Sequence, residues 1–101
     1  VIVAPDSLAI PAMSFAEVLA TSDLPGGVVN ILTGKVHELA PWMASHMDID
    51  GFDITGAKKV GELKVAAAEN LKRVHSFAKI KSPQRILAYM EAKTVWHTIG
   101  I

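Results

Sequence analysis

Cysteine does not occur anywhere in the 101 residues. Its absence excludes disulfides, thiolate metal sites and a cysteine nucleophile, and it fits a reducing cytoplasm, the expected location. An excess of charge is missing too, because ten basic side chains balance ten acidic ones. A neutral chain has no electrostatic footprint for nucleic acid or an anionic membrane, and neither is expected as a partner. No run approaches the roughly 18 apolar residues of a membrane span, and no signal-peptide pattern opens the chain. The four histidines, His37, His46, His75 and His97, contain no pair at the i, i+4 spacing of a helical zinc site, so no metal is expected. His75 adjoins Ser76, but no nucleophile elbow surrounds that serine and no triad is read there.

What is present is apolar: half of the residues are hydrophobic and 20% are charged. That composition supports a packed core in a chain the size of one small domain, and argues against disorder. The chain opens inside an apolar β-branched run, Val1-Ile2-Val3. It therefore reads as a portion cut from, or descended from, something longer, with trimming of the ends as the alternative.

Strand and helix patterns alternate. Val1–Ala4 reads as a strand closed by Pro5, and Pro11–Thr21 as a helix with Ala12, Phe15, Ala16 and Leu19 on one face. Val28–Leu32 is a second strand. Val36–His46 is a second helix on the spacing of Val36, Leu39, Met43 and Met47, with Pro41 expected to kink it or shift its start. Phe52–Ile54 is a third strand, and Lys58–Leu71 the clearest helix, with Val60, Leu63, Ala67 and Leu71 in one stripe. Val74–Ala78 forms a fourth strand, Lys79–Pro83 a turn, Gln84–Glu91 a short helix and Lys93–Trp96 a last strand. This alternation predicts an α/β fold: a three-layer α/β/α sandwich on a small, mostly parallel sheet, incomplete and Rossmann-like. Three helices over four strands give thin cover, so a missing portion or a partner is expected to complete it.

Two glycine-marked junctions stand at the centre. One is Leu24-Pro25-Gly26-Gly27-Val28-Val29-Asn30-Ile31-Leu32-Thr33-Gly34, and the other Asp50-Gly51-Phe52-Asp53-Ile54-Thr55-Gly56. Each reads as a strand ending at a glycine before a helix, the arrangement by which α/β folds present backbone amides to a nucleotide phosphate.

These segments resemble the coenzyme-binding domain of the aldehyde dehydrogenase superfamily. The first junction is similar to that family's Leu-Pro-x-Gly-Val-Val-Asn-x-x-x-Gly signature, and Ile54-Thr55-Gly56 with Val60-Gly61 to its Phe-Thr-Gly-Ser-x-x-Val-Gly turn. Ala44-Ser45-His46 with Asp48-Ile49-Asp50, and Asn70-Leu71-Lys72-Arg73-Val74, continue in step, so the likeness runs over residues 1–83. In residues 84–101, Tyr89 and Lys93-Thr94-Val95-Trp96 resemble the Tyr-x-x-x-Lys-x-Val element near the family's C-terminus, a strand used there in subunit assembly. The catalytic domain that carries the family's cysteine nucleophile is absent between the two.

The departures fall on functional positions. The family's lysine at the end of the first strand is Ala4 here, and the following Ser-Glu pair is Asp6-Ser7. The loop after Gly34 reads Lys35-Val36-His37 instead of carrying a further glycine, and the pyrophosphate-binding serine after Gly56 is Ala57. The family's Leu-Glu-Leu-Gly-Gly-Lys-Ser-Pro strand reads Ser76-Phe77-Ala78-Lys79-Ile80-Lys81-Ser82-Pro83, which puts Phe77 at the general-base position. The resemblance thus implies no catalytic residue in this chain. It leaves coenzyme contacts, vestigial ones, at Pro5, Ser7, Gly27, Gly34, Gly56 and Ala57, with Lys58 and Lys59 either attracting phosphate or forming a solvated face.

Two function classes follow. In the first, the chain is a catalytically inactive, structural C-terminal part of a larger NAD(P)-dependent aldehyde oxidoreductase, assembling as a homo-oligomer or with the rest of that protein through Lys93–His97. In the second, it is a residual module for NAD, NADP or another adenine nucleotide. Trp42 and Trp96 read equally as interface or core residues, and the four methionines as core.

Overall fold

In the computed structural model, residues 1–77 and 83–100 are described. The expected Lys79–Pro83 turn, the end of the expected fourth strand at Ala78, and Lys79-Ile80 at the family's glycine positions lie outside them, apart from Pro83. The order is strand β1 (Ile2–Pro5), a 3₁₀ turn (Asp6–Leu8), helix α1 (Ala9–Ala20), β2 (Ile31–Gly34), α2 (Val36–Ser45), β3 (Gly51–Asp53), α3 (Val60–Ala68), β4 (Arg73–His75) and α4 (Gln84–Leu87).

The α/β class and the parallel strands are as expected, but the single sheet is not. The described strands form two parallel pairs, with Ile2 opposite Ile31 and Pro5 opposite Gly34 in one, and Gly51 opposite Arg73 and Asp53 opposite His75 in the other. Nor do the described residues form the Lys93–Trp96 strand: residues 91–100 are exposed and without regular structure. A lone strand leaves its backbone groups unpaired, so this segment has no ladder of its own to join.

Local chemistry explains the shifted boundaries. The second strand begins at Ile31 rather than Val28 because residues 25–30 are folded on themselves. The Val28 amide donates to the Pro25 carbonyl at 3.4 Å, and the Asn30 side-chain amide donates to the Gly27 carbonyl at 2.8 Å. Pro11 lies in the first turn of α1, where the missing N–H has no intrahelical acceptor. Pro41 lies inside α2 without moving its start from Val36, and Ser45 Oγ donates back to the Pro41 and Trp42 carbonyls, each at 3.2 Å. Helix α3 starts two residues later than the pattern predicts because Lys59 is left-handed, at φ 56°.

The end of α3 is a Schellman closure. The Lys72 amide reaches the Ala67 carbonyl at 3.3 Å, and the Leu71 amide reaches Ala68 at 3.2 Å, with Leu71 left-handed at φ 57°.

The core joins α2, β3 and α3. Ala40 and Ala44 from α2 meet Phe52, Ile54 and Leu63, with Val36, Met43, Val60 and Val74 around them. Ala44 and Ala67 have no exposed surface, so small side chains let the helices approach closely. Much of the remaining apolar inventory stays outside: Ile10, Val18, Trp42, Val65 and Trp96 are all exposed. The chain is correspondingly extended, with a radius of gyration of 17.0 Å, against about 13 Å for a compact domain of this length.

Candidate functional site

The two glycine junctions bracket the start of α2 and the start of α3. After β3, Ile54-Thr55-Gly56-Ala57 closes a turn in which the Ala57 amide donates to the Ile54 carbonyl at 3.0 Å. Gly56 takes φ 80°, which a side chain would strain, and Thr55 is held by its amide donating to Asp53 Oδ1 at 2.9 Å. At the end of β2, Gly34 takes φ 151°, and a Cβ there would stand 3.4 Å from Leu39.

Between the first turns of α2 and α3 lies a cavity of about 90 Å³, floored by Val36, Ala40 and Leu63 and rimmed by His37, Lys58 and Glu62. Ala57 lines it too. It is far smaller than the roughly 300–1,000 Å³ of a typical ligand site. Side chains at and beside the rim are partly engaged: Lys59 pairs with Glu62 at 3.3 Å, and His37 and the neighbouring Lys35 approach Glu38 at 3.8 and 3.3 Å. Among the described residues Lys58 has no ion-pair partner.

The predicted site residues are therefore only partly gathered. Ala57 lines the cavity, Gly56 precedes it in the turn, and Gly34 stands two residues before Val36. Pro5 faces Gly34 in the strand register, and Ser7 is exposed on the 3₁₀ turn after it. Gly27, at φ 83°, lines a different and larger groove of about 510 Å³, between α1 and residues 24–31, together with Met13, Leu19, Leu24 and Ile31. Ala4 is buried and offers only a methyl group at the end of the first strand. Ala40, Pro41, Glu62 and Ala66 also line the smaller cavity, though no motif marks them; the i, i+4 rows of α2 and α3 are the signal that could have found them.

Phe77 is the most informative position. Its amide donates to Thr55 Oγ1 at 2.9 Å, which carries the chain past β4 alongside the glycine turn. Its ring stacks on His75 with centroids 5.7 Å apart and meets Tyr89 edge-on at 6.4 Å. His75 and Tyr89 are themselves edge-to-face at 5.3 Å, and the Arg85 guanidinium lies 5.2 Å from the Phe77 centroid. Arg85 Nε also pairs with Asp53 at 3.1 Å, and Arg73 with Glu91 at 2.9 Å. Burial, and secondarily the Asp53 carboxylate, raise the Tyr89 phenol above its ordinary 10.0, while Arg85 and Arg73 oppose the shift. The position at which the resemblance expects a carboxylate is thus filled by a hydrocarbon ring that fastens the C-terminal residues to β3 and β4.

Comparison with known proteins bears on what such a scaffold is. The model of the aldehyde dehydrogenase family matches residues 1–99. An aldehyde dehydrogenase [NAD(P)+] 1 of Saccharomyces cerevisiae is 34% identical over 100 residues, which are 95% of this chain and 20% of the yeast protein. Human aldehyde dehydrogenase 1A1 is 38% identical over 81 residues, 78% of this chain and 16% of the human protein. Aldehyde dehydrogenase family 2 member C4 of Arabidopsis thaliana is 36% identical over 80 residues, 77% and 16% of the respective chains. The chain therefore spans a fifth or less of the length of these relatives. No solved structure gives a significant match.

Proposed function

This chain belongs to the aldehyde dehydrogenase family, and from that membership we propose that it serves as a catalytically inactive, structural part of a larger NAD(P)-dependent aldehyde oxidoreductase. The observation that carries this reading is Phe77. A phenyl ring has no proton to give or take, and this one is engaged by the His75 and Tyr89 rings and by the Arg85 guanidinium. With no cysteine in the sequence, the chain has neither a thiolate to attack a carbonyl nor a carboxylate at that position to activate water. A structural role is supported by the apolar side chains left uncovered on α1 and on residues 91–100, which suit contact with further protein.

The second reading, a residual adenine-nucleotide module, is favoured by Lys58 beside the glycine turn. Weighing against it are the methyl groups of Ala4 and Ala57, where the family has hydrogen-bonding side chains. Each lost hydrogen bond is worth about 0.5–1.5 kcal/mol, and several together weaken affinity by orders of magnitude.

Two measurements on the purified chain test the leading reading. NAD(P)-linked oxidation of short aldehydes should be undetectable, and turnover by the chain alone overturns inactivity. Oligomeric mass should fall when Trp96, 91% exposed, is changed in Trp96→Glu, if Lys93–His97 carries assembly. An unchanged mass removes that segment from the role.

A further inference from the structure

The contacts of residues 83–91 differ in kind from those that hold the rest of the fold. Helix α4 has only four residues, too few to persist unaided. The large apolar side chains of α4 and the residues just after it face solvent, with Ile86 68%, Leu87 59% and Met90 59% exposed. Hydrophobic burial therefore does not dock it. Its contacts with β3, β4 and Phe77 include an aromatic cluster and two ion pairs: Tyr89 against His75 and Phe77, Arg85 over Phe77 and against Asp53, and Glu91 on Arg73. The ion pairs are partly exposed and contribute little. Tyr89 Oη is buried without a hydrogen-bond partner among the described residues, which works against closure. The Tyr89 ring also lies over the backbone of Gly51, so close that a Cβ there would meet it at 2.8 Å.

We propose that residues 83–91 form a strap that closes over the β3–β4 pair through this aromatic latch, and that it opens as a unit while the α2–α3 core stays folded. Opening exchanges a small set of ring contacts for solvent, satisfies the Tyr89 hydroxyl with water and uncovers Phe77. The core residues Ala40, Ala44, Phe52, Ile54 and Leu63 are not among the side chains that form the latch. A segment held by few apolar contacts belongs to the low-stability end of a structure, where partial opening precedes global unfolding. This inference concerns contacts within the chain and does not depend on the family's activity or on assembly.

The test is amide hydrogen exchange on the intact chain, comparing the amides of Ile86–Met90, which bond to carbonyls one turn back, with those of Leu63–Ala67 in α3. Gly51→Ala is the chosen variant because the three atoms nearest its new Cβ all belong to Tyr89. Protection at 86–90 should fall at least tenfold while protection at 63–67 is unchanged. Arg85→Gln, which removes the Asp53 ion pair and the cation over Phe77, should shift the same amides in the same direction. Unaltered protection at 86–90 in both variants overturns the latch, and equal loss at 86–90 and 63–67 overturns independent opening.

Discussion

The Lys72 side chain, buried behind α3, donates its ammonium protons to the His46 carbonyl at the C-terminal end of α2 and to Asn70 Oδ1. Asn70 in turn donates to the Met47 carbonyl at 3.0 Å. The last turn of a helix leaves carbonyls without partners and carries partial negative charge, so a cation there meets both needs. The pair Lys72–Asn70 thus ties the exit of α2 to the exit of α3, across the core they share.

Replacing that ammonium with an isosteric apolar chain should be costly. Lys72→Met leaves the His46 carbonyl and Asn70 without their donor, and about 1.5–3 kcal/mol of stability should disappear, the range for hydrogen bonds to charged groups. Urea unfolding followed by circular dichroism reads this as a lower midpoint at unchanged slope.

Leu71 predicts a change of opposite sign. It occupies the left-handed position of the Schellman closure at φ 57° and is 89% exposed. A side chain in that conformation costs about 1–2 kcal/mol, while glycine gives back part of the gain through its freer unfolded chain. Leu71→Gly should therefore stabilise the chain by about 0.5–1 kcal/mol in the same urea experiment. Destabilisation would mean that Leu71 packs on something other than solvent.

Tyr89 is the one tyrosine of the sequence, so phenolate absorbance reports it alone. Its pKa is raised in the folded chain, by burial first and by Asp53 second. The sign of the linkage follows: the folded state holds this proton more tightly than the unfolded state. The associated stability is fully present below the ordinary phenol value of 10.0 and is lost as pH rises through the higher folded value. An alkaline absorbance titration should place the midpoint above that of a free tyrosine, and Phe77→Ala should bring it back toward the free value.

How much of this was written in the sequence varies with range. Thr55-Gly56 and Gly34 announce their turns because a positive φ favours glycine, and the stripe Val60, Leu63, Ala67 announces α3 because helical period is local; Leu71, read into the same stripe, instead lies past the helix end and is exposed. The start of α3 escapes the same reasoning: Lys59 takes up a left-handed conformation that no residue type there advertises. The second strand escapes it because the Pro25–Asn30 turn competes for Val28 and Val29 and wins with its own hydrogen bonds. Val95 and Trp96 have strand-like chemistry but no partner strand among the described residues. The Phe77 cluster draws on Asp53 of β3, His75 of β4, Arg85 of α4 and Tyr89 just after it, and no spacing rule joins them. Phe77 is legible only as a missing carboxylate; what the ring does instead needed the structure.

The proposed role rests on the turns at Gly34 and Gly56 being kept while Ala4 and Ala57 stand where the resemblance expects hydrogen-bonding side chains. A calorimetric titration of NAD into the intact chain, with oligomeric mass recorded on the same sample, tests that role head on. The account predicts no detectable heat up to millimolar NAD from a well-defined species. Saturable binding at micromolar strength would contradict it, and would mean that Gly34, Gly56 and Lys58 suffice to hold the coenzyme.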